Sequence, residues 1–139
     1  MIAISAGGFR FLARFEDALA PATCRAFRAL LPYRERIIHV RWSGEACWIP
    51  LGDTGFGVGY ENPTSYPAPG QILLHPGGVS ETEILLGYGA VRFASKVGQL
   101  AGNHFLTITE GLSELPALGR KVLWEGAQEI AIGVCPARC

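Results

Sequence analysis

Apolar residues alternate with polar or small residues along several short segments of the chain, and this period of two is typical of strands with one buried face. The clearest case is the segment F-R-F-L-A-R-F at residues 9–15. Similar runs predict further strands at residues 37–42, 46–51, 71–75, 82–86, 90–95, 104–109 and 128–134. Most of the 18 glycines and 9 prolines lie between these runs, where they predict turns.

Two segments carry helical patterns instead. Pro21 suits the first turn of a helix, and Cys24 and Phe27 begin an apolar stripe at helical spacing. Ser113 is a suitable N-cap for a second helix that runs to about residue 125 and ends at Gly126. Many short strands with helices at two separated positions predict a mainly β fold, a closed barrel of mostly antiparallel strands. We expect one domain over residues 1–139.

Charge and composition exclude some classes of partner. The 12 basic and 12 acidic residues cancel, and no basic stripe is present, so we expect no nucleic-acid binding. No apolar run approaches the ~20 residues that span a bilayer, and the N-terminus does not have the pattern of a signal peptide. We therefore expect a cytoplasmic protein with no membrane partner. Only 17% of residues are charged, which leaves room for an apolar interface, so we expect a homo-oligomer.

The cysteines and the acidic groups give little support for a metal site. None of Cys24, Cys47, Cys135 and Cys139 forms a CxxC pair, and we expect all four to be reduced. A histidine and two carboxylates surround a Pro-Gly-Gly turn, and this set invites a metal interpretation: it consists of His75, Glu81 and Glu83. The predicted strand directions do not converge them. We therefore expect no metal and no other cofactor.

The predicted hairpin around Ser43-Gly44 sets which side chains share a face. A two-residue loop there places His39 opposite Trp48, and directly opposite residues share a sheet face. His39, Arg41 and Trp48 then lie on one face, and Cys47 lies on the other. This register argues against a thiolate pair of Cys47 with His39.

Three positions are candidates for chemistry. The guanidinium of Arg41 suits a carboxylate or polarised carbonyl, unless it is a surface group paired with an acid. His104, where a turn meets a strand, is either an acid–base group or a histidine satisfied by a carbonyl. Glu61 and Asn62 lie in a proline-rich loop of the kind that often rims a pocket. They are a general base and a ligand contact, or they order the loop through side-chain to backbone bonds, which we favour.

Several short motifs, in order along the chain, resemble the cyclophilins. A-P-A-T-C-R-A-F-R-A-L at residues 20–30 resembles their first helix, which begins P-x-T and ends N-F-R-A-L. H-V-R at residues 39–41 resembles the F-H-R strand that carries the catalytic arginine of prolyl isomerases. G-N-H at residues 102–104 resembles their G-K-H, and E-G-L at residues 110–112 resembles their E-G-M. The resemblance implies that Arg41 and His104 line one pocket of a cyclophilin-like barrel.

A closer resemblance covers nearly the whole chain. S-G-E-A at residues 43–46, E-N-P-T-S-Y-P-A-P-G at 61–70 and S-E-T-E-I at 80–84 are similar to an uncharacterised bacterial family with a cyclophilin-like fold, known as a domain of unknown function. Prolyl isomerases carry F-x-x-Q-G-G-D on the strand after the arginine strand, where residues 47–53 here read C-W-I-P-L-G-D. The missing phenylalanine and glutamine argue against prolyl isomerisation.

The leading hypothesis is a site that binds or converts a small anionic or amide-containing metabolite. Its enzyme version, by analogy with other cyclophilin-like domains, is a cofactor-free hydrolase or lyase. The predicted catalytic residues are His104, Arg41 and Glu61. The predicted ligand contacts are Arg41, Asn62, His39 and Trp48. The alternative is a ligand-binding or assembly module without catalysis, and a prolyl isomerase is a third candidate.

Overall fold

In the computed structural model, which describes residues 1–136, eight strands close into an antiparallel barrel with two α-helices packed against it. In chain order the elements are β1 (Ile2–Ala6), β2 (Phe9–Phe15), α1 (Pro21–Arg28), β3 (Tyr33–His39), β4 (Gly44–Gly52), β5 (Pro63–Thr64), β6 (Gln71–His75), β7 (Thr82–Val91), β8 (Ala94–Ser95), β9 (Gly98–Gln99), β10 (Gly102–Glu110), α2 (Leu115–Glu125) and β11 (Gln128–Val134). A 3₁₀ turn, Leu112–Glu114, precedes α2.

The barrel closes through a pairing of its first and last strands in spatial order. The order is β2-β1-β11-β3-β4-β7-β6-β10, and β10 also pairs with β2. Short β5 adds to the end of β10 at Gly102 and Asn103. The predicted fold class, a mainly β closed barrel with two helices, is confirmed.

The sequence prediction was wrong in several local features, among them the strand predicted at residues 37–42, where β3 spans Tyr33–His39. It omitted β1, whose solvent-facing positions include alanine rather than charged residues, so that the alternation is weak. It assigned the N-cap of the second helix to Ser113, which lies in the 3₁₀ turn, whereas α2 has Glu114 at its N-cap. It also placed a separate strand at residues 90–95, where β7 continues to Val91 and only two residues form β8.

Two apolar clusters lie on the two faces of the sheet. The larger one fills the barrel and includes Phe11, Phe27 and Phe105, which are almost completely buried. The second lies on the outer face of β4, β6 and β7, where Phe93 and Leu100 pack onto the sheet. Residues 92–100, named here the covering segment, therefore hide part of the outer face and border the site described below.

The predicted hairpin register is wrong by one residue. Ile38 pairs with Trp48 and His39 pairs with Cys47, so that His39 and Trp48 lie on opposite faces of the sheet. The cause is a longer connection that the covering segment holds in place. The hydroxyl of Ser43 donates to the carbonyl of Ala94 and accepts from its N–H, both at 3.0 Å. This tether joins residues 51 positions apart, so local sequence did not reveal it.

The described cysteines are either free or disulfide-bonded. Cys24 and Cys47 are free and buried. Cys135 is disulfide-bonded, so the prediction that all four cysteines are reduced is wrong for Cys135, and Cys139 lies outside the described residues. Within residues 1–136, no helix has the length and apolar character needed to cross a membrane.

Candidate functional site

A cleft of about 330 Å³ opens on the outer face of the barrel beside the covering segment. Its walls come from the β3–β4 loop, the covering segment and the turn before β7, and its floor from β4 and β7. The lining residues are Val40, Arg41, Trp42, Trp48, Pro50, Ser80, Glu81, Glu83, Ala94, Ser95 and Lys96. We name this the Arg41 cleft.

Strand register places Glu83 at the floor of the Arg41 cleft. Pro50 of β4 pairs with Glu83 of β7, which in turn pairs with His75 of β6. These three residues therefore share one face of the sheet. Residues 82–87 of β7 are all buried, because the barrel core covers one face of the strand and the outer cluster covers the other. The register of β7 thus places the carboxyl group of Glu83 in an apolar environment.

The environment of Glu83 favours its neutral form. Burial raises the pKa of this carboxyl to about 8, and the nearby charge of Glu81 adds to the increase. Within residues 1–136, no donor forms a hydrogen bond to it, and no cation lies within salt-bridge distance. Glu83 is therefore mainly a carboxylic acid at pH 7, when it can donate a hydrogen bond rather than only accept one.

The charged residues at the rim differ from Glu83 in their exposure. Arg41 and Lys96 are exposed, and no acid among residues 1–136 forms a salt bridge with either of them. The alternative interpretation of Arg41, a surface group paired with an acid, is therefore wrong for the described residues. The carboxylate of Glu81 accepts the backbone N–H of Gly52 at 3.0 Å. Two cations at the rim are thus available to a ligand.

Trp48 supplies the apolar part of the floor. Its indole is half-buried, packs against the outer cluster and lines the cleft. Its Nε1 is buried and has no hydrogen-bond partner within the described part of the chain. Of the residues predicted to form the site, Arg41 and Trp48 are brought together here.

His104 lies elsewhere on the outer face. Strand pairing forms a continuous row from Trp48 through Leu85 and Leu73 to His104. Three strand spacings separate the ends of this row, which is roughly 14 Å. The structure thus does not bring His104 to the Arg41 cleft.

The ring of His104 is instead part of a hydrogen-bonded chain. Its Nε2 lies 2.7 Å from the hydroxyl of Thr107, which lies 2.6 Å from a carboxylate oxygen of Glu16. The hydroxyl donates its single proton to the carboxylate, so Nε2 of His104 is the donor to Thr107. Burial lowers the pKa of His104 and so favours the neutral imidazole over the charged one.

Glu61 and Asn62 order their loop. The carboxylate of Glu61 accepts the backbone N–H of Thr23 in the first turn of α1. Asn62 takes a positive φ of 49°, its side-chain amide donates to the carbonyl of His104, and its own carbonyl accepts the N–H of His104. These contacts are of the kind that the sequence analysis favoured, and neither residue lines the Arg41 cleft.

His39 is engaged on the other face of the sheet. Its Nδ1 donates to the carbonyl of Val40 at 2.9 Å, which leaves Nε2 to accept from the hydroxyl of Tyr88 at 2.8 Å. Its cross-strand partner Cys47 is buried, and burial raises the pKa of that thiol to about 12. The pair is adjacent, contrary to the predicted register, but the thiol stays protonated and is a poor nucleophile.

Two of the three residues considered as metal ligands, His75 and Glu83, are adjacent in the sheet. His75 and Glu83 are direct cross-strand partners, although the sequence analysis expected their strands not to converge them. The Nδ1 of His75 donates to the carbonyl of Ala101 at 2.9 Å, and its Nε2 is buried without a described partner. Within residues 1–136, no group of three or more His, Cys, Asp or Glu side chains is arranged to hold a metal ion.

Comparison with known proteins gives the family. The chain matches DUF3830, described as a protein of unknown function, over residues 2–134. It belongs to this family. No curated protein sequence matches it.

Solved structures similar to this DUF3830 protein share its fold. McbB in complex with tryptophan aligns with a TM-score of 0.74 and 17% identity, over 100% of this chain and 46% of McbB. The chain thus spans less than half the length of McbB. A Cryptosporidium parvum cyclophilin-type peptidyl-prolyl cis-trans isomerase, crystallised in the presence of the dipeptide Ala-Pro, aligns with a TM-score of 0.59 and 13% identity, over 97% of this chain and 98% of that one. The cyclophilin-like fold is thereby established.

A larger groove of about 670 Å³ lies on another part of the DUF3830 barrel. It runs beside the turn at Gly7-Gly8 and is bordered by Arg34 and Arg36 of β3 and by Lys121 of α2. The amine of Lys121 donates to the carbonyl of Gly7 at 2.8 Å, and no buried acid or histidine lines the groove. Its chemistry is that of an ordinary charged surface, so the Arg41 cleft is the better candidate.

Sequence reasoning missed most residues of this cleft, among them the charged residues Lys96 and Glu83. Lys96 was not considered, because nothing local joins it to Arg41. Glu83 was considered only as a metal ligand. The available signal was its position in T-E-I-L-L, where a carboxyl precedes three large apolar residues in a predicted strand.

Proposed function

We propose that this DUF3830 protein binds a small anionic metabolite in the Arg41 cleft. The observation that carries the proposal is the pair of exposed cations, Arg41 and Lys96, which have no acidic partner within residues 1–136 and border the same cleft. An Arg fork and an ammonium group together suit a carboxylate. The cleft volume of about 330 Å³ is at the lower end of the range for small-molecule sites.

The floor of the cleft supports the same ligand class. The indole of Trp48 offers an apolar surface for the body of the ligand, and the neutral carboxyl of Glu83 does not repel an anion. The acid–base groups that line this cleft are Glu81, Glu83 and Lys96, and a hydrolase or lyase reaction there would draw on these, because His104 and Glu61 lie outside it.

The similarity to McbB adds an argument by analogy. The structure of that protein is of its complex with tryptophan, a small molecule with a carboxylate and an apolar ring. McbB, of which 46% aligns with this chain, therefore binds a ligand of this general kind, and only the fold links the two proteins.

The test is a thermal-shift screen with matched anionic and neutral compounds, for example benzoate against benzamide and acetate against acetamide. A ligand that binds only the folded state stabilises it by mass action, by about 2.7 kcal/mol at one hundred times its Kd. We expect saturable increases in Tm with carboxylates and much smaller ones with the neutral amides. Equal responses to both members of each pair would contradict the proposal.

Variants that remove cations from each groove test where the stabilising carboxylate binds. Arg41→Gln combined with Lys96→Gln should abolish the stabilisation by carboxylates. The matched control is Arg34→Gln combined with Arg36→Gln, which removes two cations from the larger groove and should leave the stabilisation unchanged. The reverse result, loss in the control and retention in the cleft variant, would assign the anion to the other groove and overturn the proposal.

A further inference from the structure

We infer that the Arg41 cleft takes a singly charged anion together with a proton, and that the carboxyl of Glu83 carries this proton. The inference rests on the proposed function, because it concerns the ligand of the same cleft. It specifies the charge of that ligand and the pH range in which the ligand binds.

The geometry leaves Glu83 without a local counter-charge. Its cross-strand neighbours are Pro50, which also lines the cleft, and His75, which does not. Pro50 has no charge to offer. The Nδ1 of His75 donates to the carbonyl of Ala101, and its Nε2 is buried without a described partner, so His75 forms neither a hydrogen bond nor a salt bridge with Glu83. Glu81, two positions earlier on the chain, adds a negative charge.

The remaining charged groups of the cleft lie at its rim. They are Arg41 from the β3–β4 loop, Lys96 from the covering segment and Glu81 from the turn before β7. While Glu83 is protonated, the described lining residues carry two positive charges and one negative charge. The cleft then has a net charge of plus one, which one carboxylate of a ligand neutralises.

Ionisation of Glu83 removes the match between the charge of the cleft and the charge of one ligand carboxylate. The net charge of the lining falls to zero, and a carboxylate appears on the floor beside the position of the ligand. The ligand and the ionised form of Glu83 therefore exclude each other, so that anion binding raises the affinity of Glu83 for its proton. By linkage, the protein takes up protons when it binds the anion at a pH where free Glu83 is partly ionised.

The first experiment measures the proton directly, with benzoate as the probe and the whole chain as the sample. Carbon-13 NMR of the glutamate carboxyls follows the titration of Glu83, which is assigned by the signal that Glu83→Gln removes. We expect a midpoint near pH 8 in the free protein and a higher midpoint with saturating benzoate. A midpoint below pH 5 in the free protein, or one that benzoate does not move, would overturn the inference.

The second experiment measures affinity against pH. Benzoate binding to the wild-type protein should be constant below pH 7 and should weaken by up to about tenfold per pH unit above pH 8. Glu83→Gln replaces the acid by a neutral group of the same shape, so its affinity should stay constant to pH 9.5. Glu125→Gln, at an exposed position on α2, makes the same chemical change and should behave as wild type.

The outcomes separate the inference from the proposed function. Binding that is equally strong at pH 6 and pH 9.5 in the wild-type protein keeps the anion site and overturns the role of Glu83. No binding of benzoate or acetate at either pH overturns both. If Glu83→Gln does not fold, calorimetry of the wild type in triethanolamine and in Tris at pH 8 decides the point, because proton uptake makes the two heats differ and neither buffer is an anion. Equal heats would overturn the inference.

Discussion

Glu61 and Thr23 lie 38 positions apart in the chain, and the carboxylate of Glu61 accepts the backbone N–H of Thr23. Helix α1 has no acidic residue in its first turn and no side-chain cap at Ala20. The first N–H groups of a helix lack partners inside the helix and favour a nearby negative charge. A loop residue thus caps α1 from a distance.

We predict that Glu61→Ala lowers the free energy of unfolding by about 1–2 kcal/mol, the usual cost of a lost N-cap. Chemical denaturation measures the change. Glu114→Ala is the matched control, because Glu114 occupies the N-cap position of α2 without a side-chain capping bond and its loss should have little effect. Glu61→Ala should retain carboxylate binding in the Arg41 cleft, whereas loss of binding in a folded variant would restore Glu61 as a site residue.

Asn103 joins the same loop to the barrel. Its side chain accepts the N–H of Glu61 at 3.0 Å and donates to the hydroxyl of Thr23 at 3.1 Å and to the carbonyl of Gly59 at 2.8 Å. Asn103 is fully buried, so its replacement by alanine leaves these groups without partners. We expect Asn103→Ala to cost about 3 kcal/mol of unfolding free energy, within the range for buried groups left unsatisfied.

A control separates this effect from the loss of an amide in general. Gln99 makes one exposed contact, with the hydroxyl of Tyr66 at 3.4 Å, and Gln99→Ala should change the unfolding free energy by less than about 0.5 kcal/mol. Equal effects of the two substitutions would contradict the account of Asn103.

Glu83 should make the protein less stable as pH rises. Its folded-state pKa of about 8 lies above the unfolded value of 4.5, so the folded state holds more protons between these pH values. Stability therefore declines from about pH 4.5 until Glu83 is ionised in both states. The full difference has an upper limit on the order of 5 kcal/mol.

Glu83→Gln removes this contribution to the pH dependence. Relative to wild type, the variant should gain unfolding free energy between pH 6 and pH 9, as measured by denaturation at several pH values. The same slope in both proteins would show that Glu83 ionises normally in the folded state.

Cys24 and Cys47 should be unreactive in the folded protein. Burial raises the pKa of each thiol to about 12, and Cys24 also donates to the carbonyl of Phe105 at 3.4 Å. Thiolates are the reactive species, so a thiol reagent at pH 8 should modify neither residue until the chain is unfolded. Peptide mapping after alkylation identifies the sites. Rapid modification of Cys47 under native conditions would revive the possibility of a pair with His39.

The sequence predicted the barrel because its short strands, turns and two helices are encoded locally. Residues 71–75 and 128–134 were predicted with the bounds that the structure has. The register of the hairpin after β3 was not predicted correctly, because it depends on the contact of Ser43 with Ala94. A shift of one residue moves His39 to the opposite face of the sheet.

The site was harder to predict for a related reason. Arg41 and Trp48 were identified as neighbours, and the structure places both at one cleft. Lys96 reaches that cleft only because the covering segment folds back over the sheet. His104 was paired with Arg41 through a resemblance of motifs, whereas two apolar side chains, Leu73 and Leu85, separate it from Trp48 along the row.

The most direct test of the anion site is a crystal structure of the protein grown with the carboxylate that stabilises it most in the thermal-shift screen. Difference density against ligand-free crystals locates the bound molecule. We predict density in the Arg41 cleft, with the carboxylate in contact with Arg41 and Lys96 and the body of the ligand on Trp48. Density beside Arg34 and Arg36 in the larger groove, with the Arg41 cleft empty, would contradict the account.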